Sequence, residues 1–174
     1  MSKLSMMVRA WLLEYLGLHE VCIVKGDDLY SHLAHKLLNI HLVFGRPDNL
    51  TVGRGVVLND ALINTVSGRV IFMDYAFCGH GVSVLTGTHD YHRTGVERQA
   101  DVPDMGRDIL IGEGVWIGSN ATVLGPCVIG RNAVIAAGAV VIGDVDAGCI
   151  YAGVPARKVK VIELDEATNE PAER

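Results

Sequence analysis

From Ile111 the chain repeats every six residues: IGEGVW, IGSNAT, VLGPCV, IGRNAV, IAAGAV, VIGDVD. An aliphatic residue stands at 111, 117, 123, 129, 135 and 141 without a slip. Four positions after each comes a small or β-branched residue: Val115, Ala121, Cys127, Ala133, Ala139 and Val145. Neither a helical period of 3.6 nor simple strand alternation produces a rhythm of six held this long. A solenoid does. Each hexad supplies one short flat strand and one corner, with the aliphatic residue pointing inward and the small residue filling the crowded interior. Three hexads make one triangular coil. Coils then stack at the strand spacing of about 4.8 Å, hydrogen-bonded along the axis of the prism. Glycine at the second place (Gly112, Gly118, Gly130) is read as relieving the turn.

The rhythm extends upstream in other phases. Ile40, Arg46, Val52 and Leu58 are six apart, with Phe44, Leu50, Val56 and Leu62 at the fifth places. Arg46 is a poor inward residue, so an irregular coil is expected there. A second set runs through Phe72, Cys78 and Val84, with Ala76, Val82 and Thr88 at the fifth places. The step from 58 to 72 implies two inserted residues near Ser67–Gly68. From 84 to 111 the register breaks, so a polar loop leaves the coil between about residues 90 and 104. Residues 4–16 and 27–39 read as helices, the second capped by Asp27 or Asp28. The expected organisation is a helical cap over 1–39, a β-helix over 40–156 and a C-terminal segment over 157–174. The fold class is an all-β solenoid with N-terminal helices and one extruded loop.

The net charge of −5 is concentrated at the end of the chain, where residues 163–174 hold five acids and one base. The remainder is close to neutral and lacks the basic footprint of a nucleic-acid binder. The four cysteines (Cys22, Cys78, Cys127, Cys149) form no CxxC pair and lie among apolar residues. Buried thiols of a cytoplasmic protein fit this better than a disulfide framework. The apolar stretch near the N-terminus is interrupted by Arg9 and Glu14 and is too short to span a bilayer. Membrane association is not expected, an amphipathic helix lying on a surface being the alternative.

The hexads, the VWIGSNATVLGPCVIGRNAVIAAGAVV stretch, the YAGVPAR ending and the LTGTHDY segment resemble the hexapeptide-repeat acyltransferases. Within them they resemble the maltose/galactoside and colanic-acid or polysaccharide O-acetyltransferase branch, over residues 40–160. The resemblance implies a left-handed parallel β-helix, a homotrimer, and acetyl-CoA bound in clefts between subunits. The left hand rests on the resemblance alone, because the general crossover rule favours the right.

His89 follows Leu85-Thr86-Gly87-Thr88, where the loop leaves the coil. Acyl transfer from a thioester to a hydroxyl needs a base, and imidazole with a pKa near ~6.5 suits that task. The resemblance gives His89 the same catalytic role. His92, in the loop, is its competitor, and His80, at the third place of a hexad, reads as an outward surface residue. Zinc chemistry, as in carbonic anhydrases of the same architecture, would need three histidines. His80, His89 and His92 lack that spacing, and residues 105–150 contain no histidine, so no metal site is expected.

By resemblance Asn59 falls where related enzymes bind the acceptor. Its alternative role is a stacked turn asparagine, and Asn64 is a weaker substitute. Ser67 stands where the galactoside enzymes carry a substrate-binding acid, a departure that separates this chain from galactoside acceptors. Tyr91 and Arg93, with Glu97 and Arg98, are loop residues able to contact a sugar or an anionic group. Ala136, Ala137 and Gly138 form a smooth groove suited to the pantetheine arm of coenzyme A. The resemblance adds Trp116, Ser119, Ala137 and Ile142 to that groove. Arg157, Lys158 and Lys160 are cations suited to the phosphates of CoA, Arg being able to engage them bidentately. The expected activity is transfer of acetyl from acetyl-CoA to a hydroxyl of a sugar or polysaccharide precursor, a small-molecule or glycan acceptor, in a direct ternary complex. The alternatives are N-acetylation of an amino sugar or other small amine, and a non-catalytic β-helical assembly.

Overall fold

A computed structural model describes residues 40–163, all within the unit Asn39–Arg174. The expected N-terminal helices and most of the acidic tail lie outside the described residues.

The six hexads do what their period requires. Ile111, Ile117, Val123, Ile129, Ile135 and Val141 are no more than 1% exposed, and all six fifth-place residues are buried beneath them. Burial of each such aliphatic side chain contributes roughly 1.5–3 kcal/mol. In the C-terminal coils strands pair in parallel with partners eighteen residues on: Trp116 with Val134, Thr122 with Val140, Ile109 with Cys127.

Three sheets result. The first contains β1 (Leu42–Phe44), β3 (Leu62–Asn64), β6 (Ser83–Leu85), β9 (Thr122–Leu124) and β12 (Val140–Val141), in that order. The second runs β2 (Leu50–Val52), β4 (Val70–Phe72), β7 (Ile109–Ile111), β10 (Cys127–Ile129). The third runs β5 (Phe77–Cys78), β8 (Trp116–Ile117), β11 (Val134–Ile135), β13 (Cys149–Ala152), β14 (Arg157–Val161). The chain passes from first sheet to second at corner I, from second to third at corner II, and from third to the first of the next coil at corner III.

Departures from six are confined to two corners. In the regular coil the inward residues across corner I are Val123, Cys127 and Ile129. The corresponding set is Ile63, Val70 and Phe72 one coil pair below, three residues longer, and Val43, Leu50 and Val52 in the first coil. At corner III the first coil is one residue shorter, with Leu58, Ala61 and Ile63 where Cys78, Val82 and Val84 follow. The two-residue insertion expected near Ser67–Gly68 is therefore a gain of three and a loss of one.

This shift corrects the earlier phases. Val43 rather than Ile40 or Arg46 occupies the inward register, and Phe44 and Leu62 are exposed. Buried Thr86, not Thr88, begins the departure in the next coil. The lengthened turns at corner I are satisfied by threonines. Thr65 Oγ1 donates to Arg46 O (2.8 Å), and Thr86 Oγ1 donates to Asn64 O (2.9 Å) while accepting from Ser67 N–H (3.1 Å). Past residue 156 the third sheet continues. Arg157–Val161 pairs antiparallel with β13, so this part of the expected C-terminal segment belongs to the β-helix.

Candidate active site

The loop leaves corner I after β6 and returns at β7, carrying a short helix, α1 (Gly95–Ala100). His89 stands at its start. Its Nδ1 lies 2.9 Å from Arg98 O. A carbonyl only accepts, so Nδ1 carries the proton and Nε2 presents a lone pair. That carbonyl is held in place by its own side chain. Arg98 Nε donates to Arg93 O (2.6 Å) and Nη2 donates to Tyr91 O (3.1 Å). Asp90 N–H donating to Asp101 O (3.3 Å) closes the base of the loop.

Arg93 faces Asp90 at 3.4 Å and Glu97 and Asp101 at 3.9 Å. Its guanidinium is thus directed into the loop. Tyr91 is largely exposed and packs against the ring of His92 (4.3 Å between centroids). Ser67, the point of departure from the galactoside pattern, is fully buried behind this corner.

Corner III holds a different set. Asn59 has a left-handed backbone (φ 49°) and donates from Nδ2 to Cys78 O (2.7 Å), which is the stacked-turn role. Above it the third places of successive coils bring Asp60, His80, Ser119 and Ala137 into one column. Ser119 Oγ accepts from His80 N–H (3.1 Å), and His80 Nδ1 lies 3.1 Å from Asp60 Oδ1. Gly81 N–H donates to the same oxygen (2.9 Å). This amide above all, and His80 after it, holds the Asp60 carboxyl below its usual range. Trp116 lies just before this corner on the outer face of the third sheet, stacked on Phe77 with ring centroids 5.9 Å apart.

The hairpin between β13 and β14 crosses the top of corner III, with Val140 N–H donating to Gly153 O (3.0 Å) and Ala152 opposite Arg157. Arg157 thus lies on the strand laid over β13, opposite Ala152. Lys158 points away to Asp146 (3.0 Å), and Lys160 lies opposite Ile150. Ile142 is at corner I, where it shares a cleft with Asp144, Tyr151, Ala156 and Arg157.

Within one chain, then, Ser119, Ala136 and Ala137 come together at corner III, Arg157 lines the separate cleft with Ile142, and His89 joins neither. The first sheet lies between His89 and the column. His80 and His89 are likewise at different corners. Two features escape the sequence: the carbonyl behind His89, and the Asp60–His80 pair. The one-residue shortening at Asn59–Ala61 that accompanies the second is hidden in the sequence by the three-residue gain at corner I.

A triangular parallel β-helix with an imidazole at the mouth of a single loop defines the class. Residues 108–143 match the bacterial transferase hexapeptide (six repeats) model. It is 31% identical over 121 residues to YJL218W of Saccharomyces cerevisiae, whose name classes it with the acetyltransferases, covering 69% of this chain and 60% of that one. Its fold matches a maltose O-acetyltransferase from Clostridium difficile 630 with a TM-score of 0.59 at 22% identity, covering 94% of this chain and 90% of the other. It also matches serine acetyltransferase of Brucella abortus in complex with coenzyme A, with a TM-score of 0.50 at 28% identity over 67% of this chain and 42% of the other. The chain spans less than two thirds of the length of the curated relatives it matches first.

Proposed function

We propose that this chain is an acetyl-CoA-dependent O-acetyltransferase, cytoplasmic and homotrimeric, with a left-handed coil as in the enzymes it resembles. Its acceptor is a hydroxyl of a sugar or polysaccharide precursor. The observation that carries the reading is the 2.9 Å contact of His89 Nδ1 with Arg98 O, which fixes the tautomer of the neutral ring with its Nε2 lone pair free. Nε2 takes the proton of the attacking hydroxyl as its oxygen adds to the thioester carbonyl. The tetrahedral intermediate then expels the CoA thiolate, which recovers that proton from the imidazolium. Transfer is direct. The buried Cys78 and Cys127 thiols, both pushed up to about 12 by burial, offer no nucleophile.

The small side chains of Ala136, Ala137 and Ser119 leave a groove for the pantetheine arm, with Trp116 at its side. Arg157 and Lys160 meet the phosphates, and Ile142 with Arg157 lines the cleft beyond. Lys158 is engaged by Asp146 and contributes less. Tyr91 faces the acceptor, while Arg93 shapes the loop that carries Tyr91 and Asn59 serves the corner through its bond to Cys78 O. His89 and the groove lie at opposite edges of the first sheet, so the site is completed by a neighbouring copy. The CoA complex of the Brucella abortus relative supports the cofactor.

The test mixes the protein with acetyl-CoA, a thiol-detecting reagent and a panel of sugars including maltose, with L-serine and glucosamine as the competing chemistries. Sugar-dependent CoA release is expected, and His89→Ala should lower it by about 10² to 10⁴ with CoA affinity retained. CoA release with glucosamine alone would establish the amine reading. Absence of both CoA release and CoA binding would establish a silent assembly.

A further inference from the structure

Corner III carries a second imidazole that the reading above leaves without a role. Along its column, the amide at the fourth place of one coil normally donates to the third-place carbonyl of the coil below. Asn120 N–H donates to His80 O (2.8 Å) and Gly138 N–H donates to Ser119 O (2.9 Å). At the bottom of the column the corner is one residue short, and a side chain substitutes. Gly81 N–H donates to Asp60 Oδ1 instead (2.9 Å). Stacking of the coils therefore accounts for the carboxylate. It does not account for the imidazole, since the same place holds serine and alanine in the next coils. Nor does packing, since the His80 side chain is 64% exposed.

The His80 ring is nevertheless fixed. Asp60 Oδ1, ionised and able only to accept, lies 3.1 Å from Nδ1, so Nδ1 donates to it and in the neutral ring Nε2 is the acceptor. Above His80 the column narrows to Ser119 and then Ala137, beneath the hairpin whose far strand begins at Arg157. An arm laid along this groove with its phosphates at Arg157 brings its acyl end to His80, the first bulky polar group it meets.

We infer that His80 is an acceptor-binding residue of the groove-bearing chain, with Asp60 as its positioning residue: Nε2 accepts a hydrogen bond from a hydroxyl of a neutral polyol or sugar, beside Asn59. The pair discriminates by charge. The Asp60 carboxylate disfavours acceptors that carry a carboxylate of their own, L-serine among them. The inference rests on the acetyl-transfer reading and deepens it. His89 and His80 then approach the acceptor from two chains, one taking the proton of the attacking hydroxyl and the other orienting the molecule.

The test uses the full-length enzyme and the sugar of the panel that releases CoA fastest. His80→Asn keeps a donor at the Nδ1 position for Asp60 and removes the Nε2 acceptor. The expected result is a rise of about 10-fold in KM for the sugar, with KM for acetyl-CoA within about 2-fold of the wild type. A smaller rise is expected in Asp60→Ala, which leaves the imidazole present and unoriented. An unchanged sugar KM in His80→Asn overturns the assignment. Should His89→Ala remain active while His80→Asn raises the sugar KM, the base assignment fails and the acceptor site stands. A second measurement needs no turnover. With histidines labelled in ¹⁵N, acetyl-CoA should move the His80 imidazole signals, and should not move them in Ala137→Trp, whose groove is filled. His80 signals indifferent to acetyl-CoA in the wild type also overturn the inference.

Discussion

Cys78 and Cys127 occupy inward places of the repeat, and burial pushes both thiols up to about 12, the charge of Asp144 adding to the effect at Cys127. A thiol ionises near pH 9 once the chain unfolds. Between pH 9 and 12 the unfolded state has therefore lost protons that the folded state keeps, and stability falls as pH rises through that window. Urea midpoints measured from pH 8 to 11 should drop beyond pH 9, and less steeply in Cys78→Val. Native protein at pH 8 should leave both thiols unreactive toward a disulfide reagent until denatured. The inward residues were legible because each one is set by a period. The second-place glycines were legible in position but not in cause. An added Cβ at Gly118 would come within 2.5 Å of Ala137 N in the next coil, so that glycine serves close approach. The left-handed corner is at the fourth place, as at Gly138 (φ 70°), where space is open and Asn120 and Asn132 are the equivalents. Gly118→Ala should accordingly cost about 1–3 kcal/mol in urea denaturation. Gly138→Asn should cost less than 1 kcal/mol, roughly the penalty of a residue type that tolerates this conformation.

Among the elements, the loop between β6 and β7 is the one whose existence a broken period reveals and whose interior it does not. Six residues of α1 are too few to carry a helical pattern, and the bonds that shape the loop run to backbone carbonyls, which no residue type announces. Arg98 is the clearest case. Its identity suggested an anion contact, whereas its guanidinium joins the carbonyls of Arg93 and Tyr91 and so aims its own carbonyl at His89. Arg98→Ala should lower kcat by about 10-fold or more and change the acidic limb of the pH–rate profile, because the His89 tautomer is then less firmly set. CoA binding, read by calorimetry, should be unaffected, the groove being at another corner. A variant with wild-type kcat and pH profile would show that the loop orients itself without this side chain. Corners were harder to read than strands for a related reason. A gain of three residues and a loss of one sum to the two that the sequence registers, and only the pairing of Ile63 with Val43 and Val84 separates them.

At the scale of the molecule, the period of six specifies a prism, and a prism has an orientation problem. Residues at one corner cannot meet residues at another within the same coil. His89 and Ala137 are separated by the first sheet, so proposed chemistry between them requires a second chain, and rotational closure of identical contacts gives three equivalent sites in a trimer. The residue types of such a shared site were legible, since each belongs to a local motif. Their assignment to separate chains came from the resemblance alone, because sequence carries no distance between corners. Complementation decides the matter. His89→Ala and Ala137→Trp should each be inactive alone, the first lacking the base and the second with its groove filled. Co-refolded in equal amounts, they form sites at random, and about one site in four combines an intact histidine with an intact groove from the other chain. Mixtures should therefore recover about a quarter of wild-type turnover, with a particle of three 18.7 kDa chains by light scattering. Activity absent at every mixing ratio, from a properly assembled trimer, would mean that histidine and groove must come from the same chain.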